Sequence, residues 1–129
     1  MKSEQKTNLF LFLASCRTGS NGEERFKILQ DIKKEIVDDD KNEFLNNYCN
    51  ALGNKTRLNI LRILKKEEYC VCELEVILGK SQSTISHHLR ILEEINLIRG
   101  WKKGKFTFYV FNKELFKQGL ELMKKSFPD

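Results

Sequence analysis

The spacing of apolar residues along the chain predicts a mostly helical protein. Apolar positions recur every three or four residues, which is the period of a helix with one buried face. The predicted helices cover residues 23–37, a segment from Asp40 to about Gly53, a segment capped by Asn54, residues 72–78, a segment from Ser81 or Ser83 to about Asn96, and residues 113–126. The predicted core positions of the two longer central helices are Leu58, Leu61 and Leu64, then Ile85, Leu89, Leu92 and Ile95.

Two of the predicted helices are joined by a short turn. Gly79-Lys80-Ser81 separates helix 72–78 from the longer helix that follows, an arrangement typical of a helix-turn-helix. Residues 98–101 and 106–110 then predict two strands joined around Gly104. The predicted fold class is therefore mainly α with a small β-hairpin.

Length and charge narrow the class of protein. The 129 residues favour one domain, predicted over residues 23–129, with residues 1–22 as an N-terminal extension. Forty per cent of the residues are apolar, which is enough for a packed core. The formal net charge is +5, and the predicted hairpin concentrates Arg99, Lys102, Lys103 and Lys105. This placement favours an anionic partner such as nucleic acid.

The N-terminal region contains a short apolar run with a lipoprotein-like box, Leu13-Ala14-Ser15-Cys16. The run from Leu9 to Ala14 is shorter than the ~7–15 residues of a signal core, which argues against lipidation at Cys16. No stretch approaches the ~20 apolar residues of a membrane span. We therefore expect a cytoplasmic protein with no membrane partner and with reduced thiols.

The polar face of the helix after Gly79 has the composition of a DNA-reading helix. Gln82 can pair with adenine, and Arg90 can contact a phosphate or guanine. Hydroxyl side chains at a helix start suit phosphate oxygens, and hairpin lysines suit the DNA backbone or minor groove. The predicted contacts to double-stranded DNA are Ser81, Gln82, Ser83, Thr84, Ser86, His87, Arg90, Lys102, Lys103 and Lys105.

The adjacent histidines of this helix do not predict a metal site. Neighbouring residues on a helix diverge by about 100°, so His87 and His88 cannot easily share one ion. His87 is predicted as a DNA contact. His88 is predicted as a partly buried packing residue.

The cysteines are the second candidate site. Cys70 and Cys72 lie at the start of a predicted short helix, and thiolates are soft ligands that select thiophilic ions. Positions i and i+2 of a helix point about 200° apart, so if both sulfurs bind one ion, either Cys70 precedes the helix or the first turn is distorted. An enzyme is disfavoured, because the chain has no Cys-x-x-Cys motif, no acid/base pair at useful spacing and no Gly-rich phosphate loop.

Residues 43–124 resemble the ArsR/SmtB family of metal-responsive repressors. The likeness rests on Ala51 to Leu61 as the opening signature, on Cys70-Val71-Cys72-Glu73-Leu74 as the metal box, and on Ser81 to Leu89 as the recognition helix. The resemblance implies a winged helix-turn-helix homodimer that leaves its operator when an inducer binds. We expect residues 23–52 and 113–126 to form the dimer interface.

The resemblance also indicates which side chains bind the inducer and which ion it is. Thiolate-rich members of the family use N-terminal cysteines, so Cys16 is the candidate third ligand, from the same or the other subunit. Cys49 lies beside an apolar stripe and is predicted to pack in the core rather than to bind metal. The last predicted helix has no His, which argues against the family's interfacial zinc site. Arsenite or antimonite, As(III) or Sb(III), is the first choice of inducer, and Cd(II) or Pb(II) the second.

Two other interpretations stay open. A repressor that senses oxidants through Cys70 or Cys72 would use the same thiols without a metal. A metal-buffering protein or a small thiol enzyme belongs to a different class, and neither needs a polar recognition face or a basic hairpin. Salt-dependent binding to duplex DNA distinguishes the regulators from the second class.

Overall fold

A computed structural model describes residues 2–16 and 21–129 as seven helices, one of them continued by a π-helical turn, and one small sheet. The helices are α1 (Ser3–Cys16), α2 (Gly22–Ile32, continued by the π-helical Lys33–Val37), α3 (Lys41–Leu52), α4 (Lys55–Leu64), α5 (Val71–Leu78), α6 (Gln82–Glu94) and α7 (Lys113–Ser126). The strands are β1 (Tyr69–Cys70), β2 (Ile98–Lys103) and β3 (Phe106–Phe111). No helix within these ranges is long and apolar enough to cross a bilayer.

The chain divides into two compact units at Glu43. In the first unit α1 packs against α2, and the rings of Phe10 and Phe26 meet edge to face with centroids 4.9 Å apart. The side chain of Asn21 caps α2 by accepting from the Glu23 N–H at 2.9 Å. Helix α1 was not predicted, whereas the helix predicted over 23–37 is confirmed with a π-helical end. The predicted domain boundary after residue 22 stays a prediction.

The second unit contains the helix-turn-helix and the sheet. Strand order is β1-β3-β2, and all pairs are antiparallel. The predicted hairpin is confirmed and extends to Lys103 and Phe111, with Gly104 at a positive φ of 64° in its turn. We call this hairpin, residues 98–111, the wing. Strand β1 was not predicted, because two residues carry no alternation that could be recognised.

Most predicted helix boundaries of this unit are confirmed. Asn54 caps α4 by accepting from the Arg57 N–H at 3.1 Å, and Gly79 ends α5 with a left-handed φ of 63°. Helix α7 covers the predicted residues 113–126. Helix α3, predicted to start at Asp40, begins at Lys41, whose N–H donates to the Asp39 carboxylate at 3.0 Å.

The core lies between α3, α4, α5, α6 and the wing. Its buried members are Tyr48, Ala51, Ile60, Leu61, Leu64, Leu74, Ile85, Leu89, Leu92, Leu97 and Ile98. The prediction for Leu58 was wrong, because this side chain is 43% exposed. The inward face of α4 instead follows Arg57, Ile60, Leu61 and Leu64, an i, i+3, i+4, i+7 pattern whose first member is charged. Ile95 is half-buried against the core at the end of α6.

Tyr48 joins α3 to α7. Its hydroxyl donates to the Phe116 carbonyl oxygen at 2.9 Å, and its ring lies where a Cβ on Gly119 would be. Gly119 is the buried residue of α7. The close approach of these two helices therefore requires a residue without a side chain at position 119.

We expect Gly119→Ala to lower the free energy of unfolding by about 1–3 kcal/mol, the usual cost of overpacking. Helix propensity alone would give the opposite sign, since Ala is better than Gly in a helix by about 1 kcal/mol. Chemical denaturation at a fixed protein concentration measures the difference.

The matched control is Gln118→Ala, at an exposed neighbouring position of the same helix. It should change stability by no more than about 0.5 kcal/mol. A Gly119→Ala protein more stable than wild type would contradict the contact with the Tyr48 ring.

Candidate functional site

The N-terminus of α6 is organised by its own hydroxyl side chains. Ser81 Oγ accepts from the Thr84 N–H at 3.3 Å and donates to Thr84 Oγ1 at 2.9 Å. Ser81 and Ser83 hydroxyls are also 3.2 Å apart, within hydrogen-bond distance. The Thr84 N–H has no acceptor within the helix, and Ser81 provides one. These bonds also hold the start of α6 in one geometry.

Helix α6 has two distinct faces. Ile85, Leu89 and Leu92 are buried in the core, as predicted. The predicted DNA contacts Gln82, Ser83, Thr84, His87 and Arg90 are exposed, and Ser86 is half-buried. The structure thus brings the predicted contacts together on one accessible helix, although their contact with DNA remains a prediction.

Arg57 is the residue that sequence reasoning missed. Its side chain is only 8% exposed. Its Nε donates to the Ala51 carbonyl at 2.9 Å, and its Nη2 donates to the Asn50 carbonyl at 2.9 Å. The guanidinium therefore satisfies carbonyls at the end of α3, where the helix dipole is negative. The spacing i, i+3, i+4, i+7 along α4 could have indicated that Arg57 lies on the buried face. It was missed because the first residue of that face is charged.

The same guanidinium holds the recognition helix. Arg57 Nη1 lies 3.1 Å from Nδ1 of His88 on α6. Arginine has no acceptor, so it donates and His88 must be neutral with its proton on Nε2. Burial, then the charges of Arg57, His87 and Lys80, lower the pKa of His88 below its ordinary 6.5. His88 is thus a half-buried positioning residue, as its predicted packing role requires.

The wing presents a basic tip. Lys102, Lys103 and Lys105 are exposed beside the Gly104 turn. The base of the wing is tied to α6, because the Gly100 N–H donates to Glu93 Oε2 at 2.9 Å. The predicted basic hairpin is therefore anchored at its base to the predicted recognition helix.

Cys70 lies directly before helix α5. It is the N-cap residue of α5, with the extended backbone angles φ −90° and ψ 171°, which corresponds to the first of the two predicted alternatives. Its backbone N–H donates to Glu73 Oε1 at 3.1 Å. Its side chain is buried, whereas Cys72 in the first turn of α5 is exposed. The pair shares one helix start, but only one sulfur is freely accessible.

The other two cysteines, Cys49 and Cys16, differ in their exposure. Cys49 is half-buried against the core, which agrees with its predicted packing role. Cys16 is exposed at the end of α1 in the first unit. Among residues 2–16 and 21–129, no three His, Cys, Asp or Glu side chains are grouped so that they could hold a metal ion. The thiols suit a soft ion chemically, and a complete site needs a ligand from a rearrangement or another subunit.

Comparisons with known proteins agree with this geometry. Residues 54–99 match the family described as bacterial regulatory protein, arsR family. The chain is 37% identical over 82 residues to the arsenical resistance operon repressor of Bacillus subtilis, covering 60% of this chain and 78% of that protein. It is 38% identical over 78 residues to the cadmium resistance transcriptional regulatory protein CadC homolog of Staphylococcus aureus, covering 60% of this chain. The match spans 62% of the length of the S. aureus protein.

Solved structures share the fold. HlyU from Vibrio cholerae matches with a TM-score of 0.57 and 28% identity, over 70% of this chain and 99% of that one. The matched family segment runs from the cap of α4 through α5 and α6 into β2. The winged helix-turn-helix prediction is confirmed.

The His88 bond predicts a dependence of stability on pH. Because folding lowers the pKa of His88, its stabilising contribution is fully present above pH 6.5 and is lost as the pH falls through the folded-state pKa. His88→Gln keeps an acceptor for Arg57 but does not titrate. We expect the free energy of unfolding of wild type to fall relative to His88→Gln between about pH 7.5 and pH 5.

Carboxylates titrate in both proteins, so the difference between the two unfolding curves isolates His88. A difference that stays constant over this pH range would contradict the assignment of a neutral His88.

Proposed function

The chain belongs to the arsR family of bacterial regulatory proteins, and on this basis we propose that it is a homodimeric repressor that releases operator DNA when a thiophilic metal or metalloid binds. Its fold is that of transcriptional regulators rather than enzymes. The observation that carries the proposal is Cys70 at the N-cap of α5, the helix joined by one turn to α6. A site there acts on the element that supports DNA reading.

DNA reading would use α6 and the wing. The exposed start of α6 enters the major groove, where Gln82 pairs with adenine and Arg90 contacts a phosphate or guanine. Ser81, Ser83, Thr84 and Ser86 reach phosphate oxygens at the helix N-terminus. His87 is a further contact on the exposed face. Lys102, Lys103 and Lys105 of the wing neutralise phosphates beside the groove.

The dimer would form through α2, α3 and α7. Apolar side chains on α2 with its π-helical end and on α7 are exposed in the single chain, including Ile36 at 54% and Leu120 at 40%. Burial of such surface in a second copy is the usual driving force for association. The two recognition helices of a dimer would then read two half-sites of duplex DNA.

The inducer would be bound by soft sulfur ligands. Cys70 and Cys72 supply two thiolates, and Cys16 is the proposed third, from either subunit. The relatives described above are an arsenical resistance repressor in B. subtilis and a cadmium resistance regulator in S. aureus. As(III) or Sb(III) is the first choice for this chain, and Cd(II) or Pb(II) is the alternative. A cytoplasmic location would keep these thiols reduced.

Release would begin at the first turn of α5. Cys70 is buried at 6% exposure, and Cys72 is exposed. To share one ion with Cys72, Cys70 has to turn outward from its place in β1. That movement disturbs the Cys70 N–H bond to Glu73 and the helix start it stabilises. The position of α6 for DNA reading changes with it.

We expect Cys70→Ser and Cys72→Ser to bind DNA as wild type does and to lose release by inducer. Fluorescence anisotropy measures DNA binding and its loss on a duplex taken from upstream of the protein's own gene. Arsenite, antimonite, cadmium, lead, zinc and peroxide are added in turn to the reduced protein. Serine preserves size but removes the soft ligand.

Cys49→Ser is the matched control, since Cys49 packs against the core and should leave release unchanged. Loss of release in Cys16→Ser supports the third ligand. Normal arsenite, antimonite, cadmium and lead release from Cys70→Ser would place the inducer site elsewhere, and release by peroxide alone would identify a redox sensor.

Substitutions on the two DNA-contacting elements should have separable effects. Lys103→Ala removes one phosphate contact per subunit and two per dimer, so the slope of log K against log salt should become shallower by about 1.8. Gln82→Ala should instead relax discrimination at one base pair by about 1–3 kcal/mol with little change in that slope.

Lys117→Ala removes the same charge from an exposed position of α7 and serves as the control. A salt slope that responds equally to Lys103→Ala and Lys117→Ala would contradict a specific role for the wing.

A further inference from the structure

The strand that carries Cys70 belongs to the same sheet as the wing. Tyr69 pairs with Tyr109, and Cys70 pairs with Phe108 on β3, the middle strand. Phe108 in turn pairs with Trp101 on β2. One row across the sheet therefore leads from the buried thiol to the outer strand of the wing.

Trp101 strengthens this row with two side-chain contacts. Its ring stacks on Phe108 with centroids 5.5 Å apart and planes 27° from parallel. Its Nε1–H donates to Glu68 Oε2 at 3.0 Å, across 33 residues of sequence. Trp101 is 38% exposed, so water could satisfy this N–H equally well. The bond to Glu68, two residues before Cys70, therefore fixes the orientation of the indole ring more than it stabilises the fold.

The segment from Glu68 to Cys70 is thus held to the wing by the backbone pairing of β1 with β3 and by the hydrogen bond from Trp101 to Glu68. The ring stack joins β2 to β3 within the wing itself. In the proposed release, a movement of the Cys70 backbone toward Cys72 disturbs its pairing with Phe108 on β3. Glu68 moves with the same short segment, and the indole follows or loses its acceptor. Lys102 and Lys103 come directly after Trp101 on β2, so any tilt of that strand displaces the basic tip.

We propose that Trp101 and Glu68 are positioning residues that transmit the state of the Cys70 and Cys72 site to the lysines of the wing. This inference rests on the proposed function. It adds a second route to the one through α5 and α6: the wing as well as the recognition helix changes its grip on DNA. The two routes begin at the same residue, because Cys70 is both the last residue of β1 and the N-cap of α5.

Trp101 is the single tryptophan of the chain, so its fluorescence reports this contact directly. Arsenite, and separately cadmium, is added to the reduced full-length protein without DNA, and thiolate absorption measures the ion bound. We expect the emission of Trp101 to shift in step with ion binding in wild type and to stay constant in Cys70→Ser. Ion binding with no change in emission would overturn the proposal.

The second test compares DNA affinity with and without arsenite, and with and without cadmium, in variants. Trp101→Phe keeps the stacked ring but removes the N–H donor, and Glu68→Ala removes the acceptor. Glu68→Gln keeps an acceptor oxygen and is the matched control. The coupling ratio is the DNA affinity without the ion divided by the DNA affinity with it, and such ratios are typically about 5–150-fold. We expect the coupling ratio to fall toward unity in Trp101→Phe and Glu68→Ala but not in Glu68→Gln.

The outcomes separate the link from the function on which it depends. A wild-type protein that responds to either ion, with variants that respond equally, refutes the link alone. Variants that bind DNA more weakly yet keep the wild-type ratio also refute it, because their role would be only structural. A wild-type protein whose DNA affinity neither ion changes refutes the link together with the proposed inducer.

Discussion

The buried guanidinium of Arg57 is the interaction on which the DNA-reading half of the molecule depends. It donates to two carbonyls at the end of α3 and to an imidazole on α6, while its own helix supplies the core residues Ile60, Leu61 and Leu64. None of these three acceptors is charged. The partial negative charge of a helix C-terminus and the fork of donors make the burial tolerable. The three acceptors are met by three different nitrogens of the planar guanidinium, whereas lysine carries all its donors on one nitrogen.

The small sheet has a comparable role for the thiol end of the molecule. A strand of only two residues, β1, joins Cys70 to the wing, and the next residue begins α5. A change at one sulfur therefore reaches both a helix start and a strand pair. A sensor needs this kind of connection, since a ligand acts at a distance only through elements with alternative arrangements.

The candidate site could be predicted from the sequence in its chemistry but not in its connections. The polar face of α6 followed from helical periodicity, and the lysines of the wing from two strand patterns joined around Gly104. The geometry of i and i+2 positions left two alternatives for Cys70, and the structure has the extended one. The partners Glu68, Glu73 and Glu93 did not, because a glutamate on a polar surface gives no sign of which remote N–H it will accept. The same holds for His88, whose tautomer is set by a residue 31 positions away.

The sequence by itself determined the helix-turn-helix, the wing, the caps at Asn54 and Gly79, and the extent of α7, because each depends on residues within one or two turns of chain. For the cap of α6 it allowed Ser81 or Ser83, and the structure has Ser81. Only the tertiary structure decided that Leu58 is exposed while Arg57 and Ile60 are buried, that residues 3–16 form a helix, and that Tyr69 and Cys70 form a strand. Strand β1 exists because β3 lies beside it, and the inward face of α4 is set by the carbonyls and the histidine that Arg57 reaches. Local periodicity fixes which faces are possible, whereas contacts between residues distant in sequence select the face that is buried.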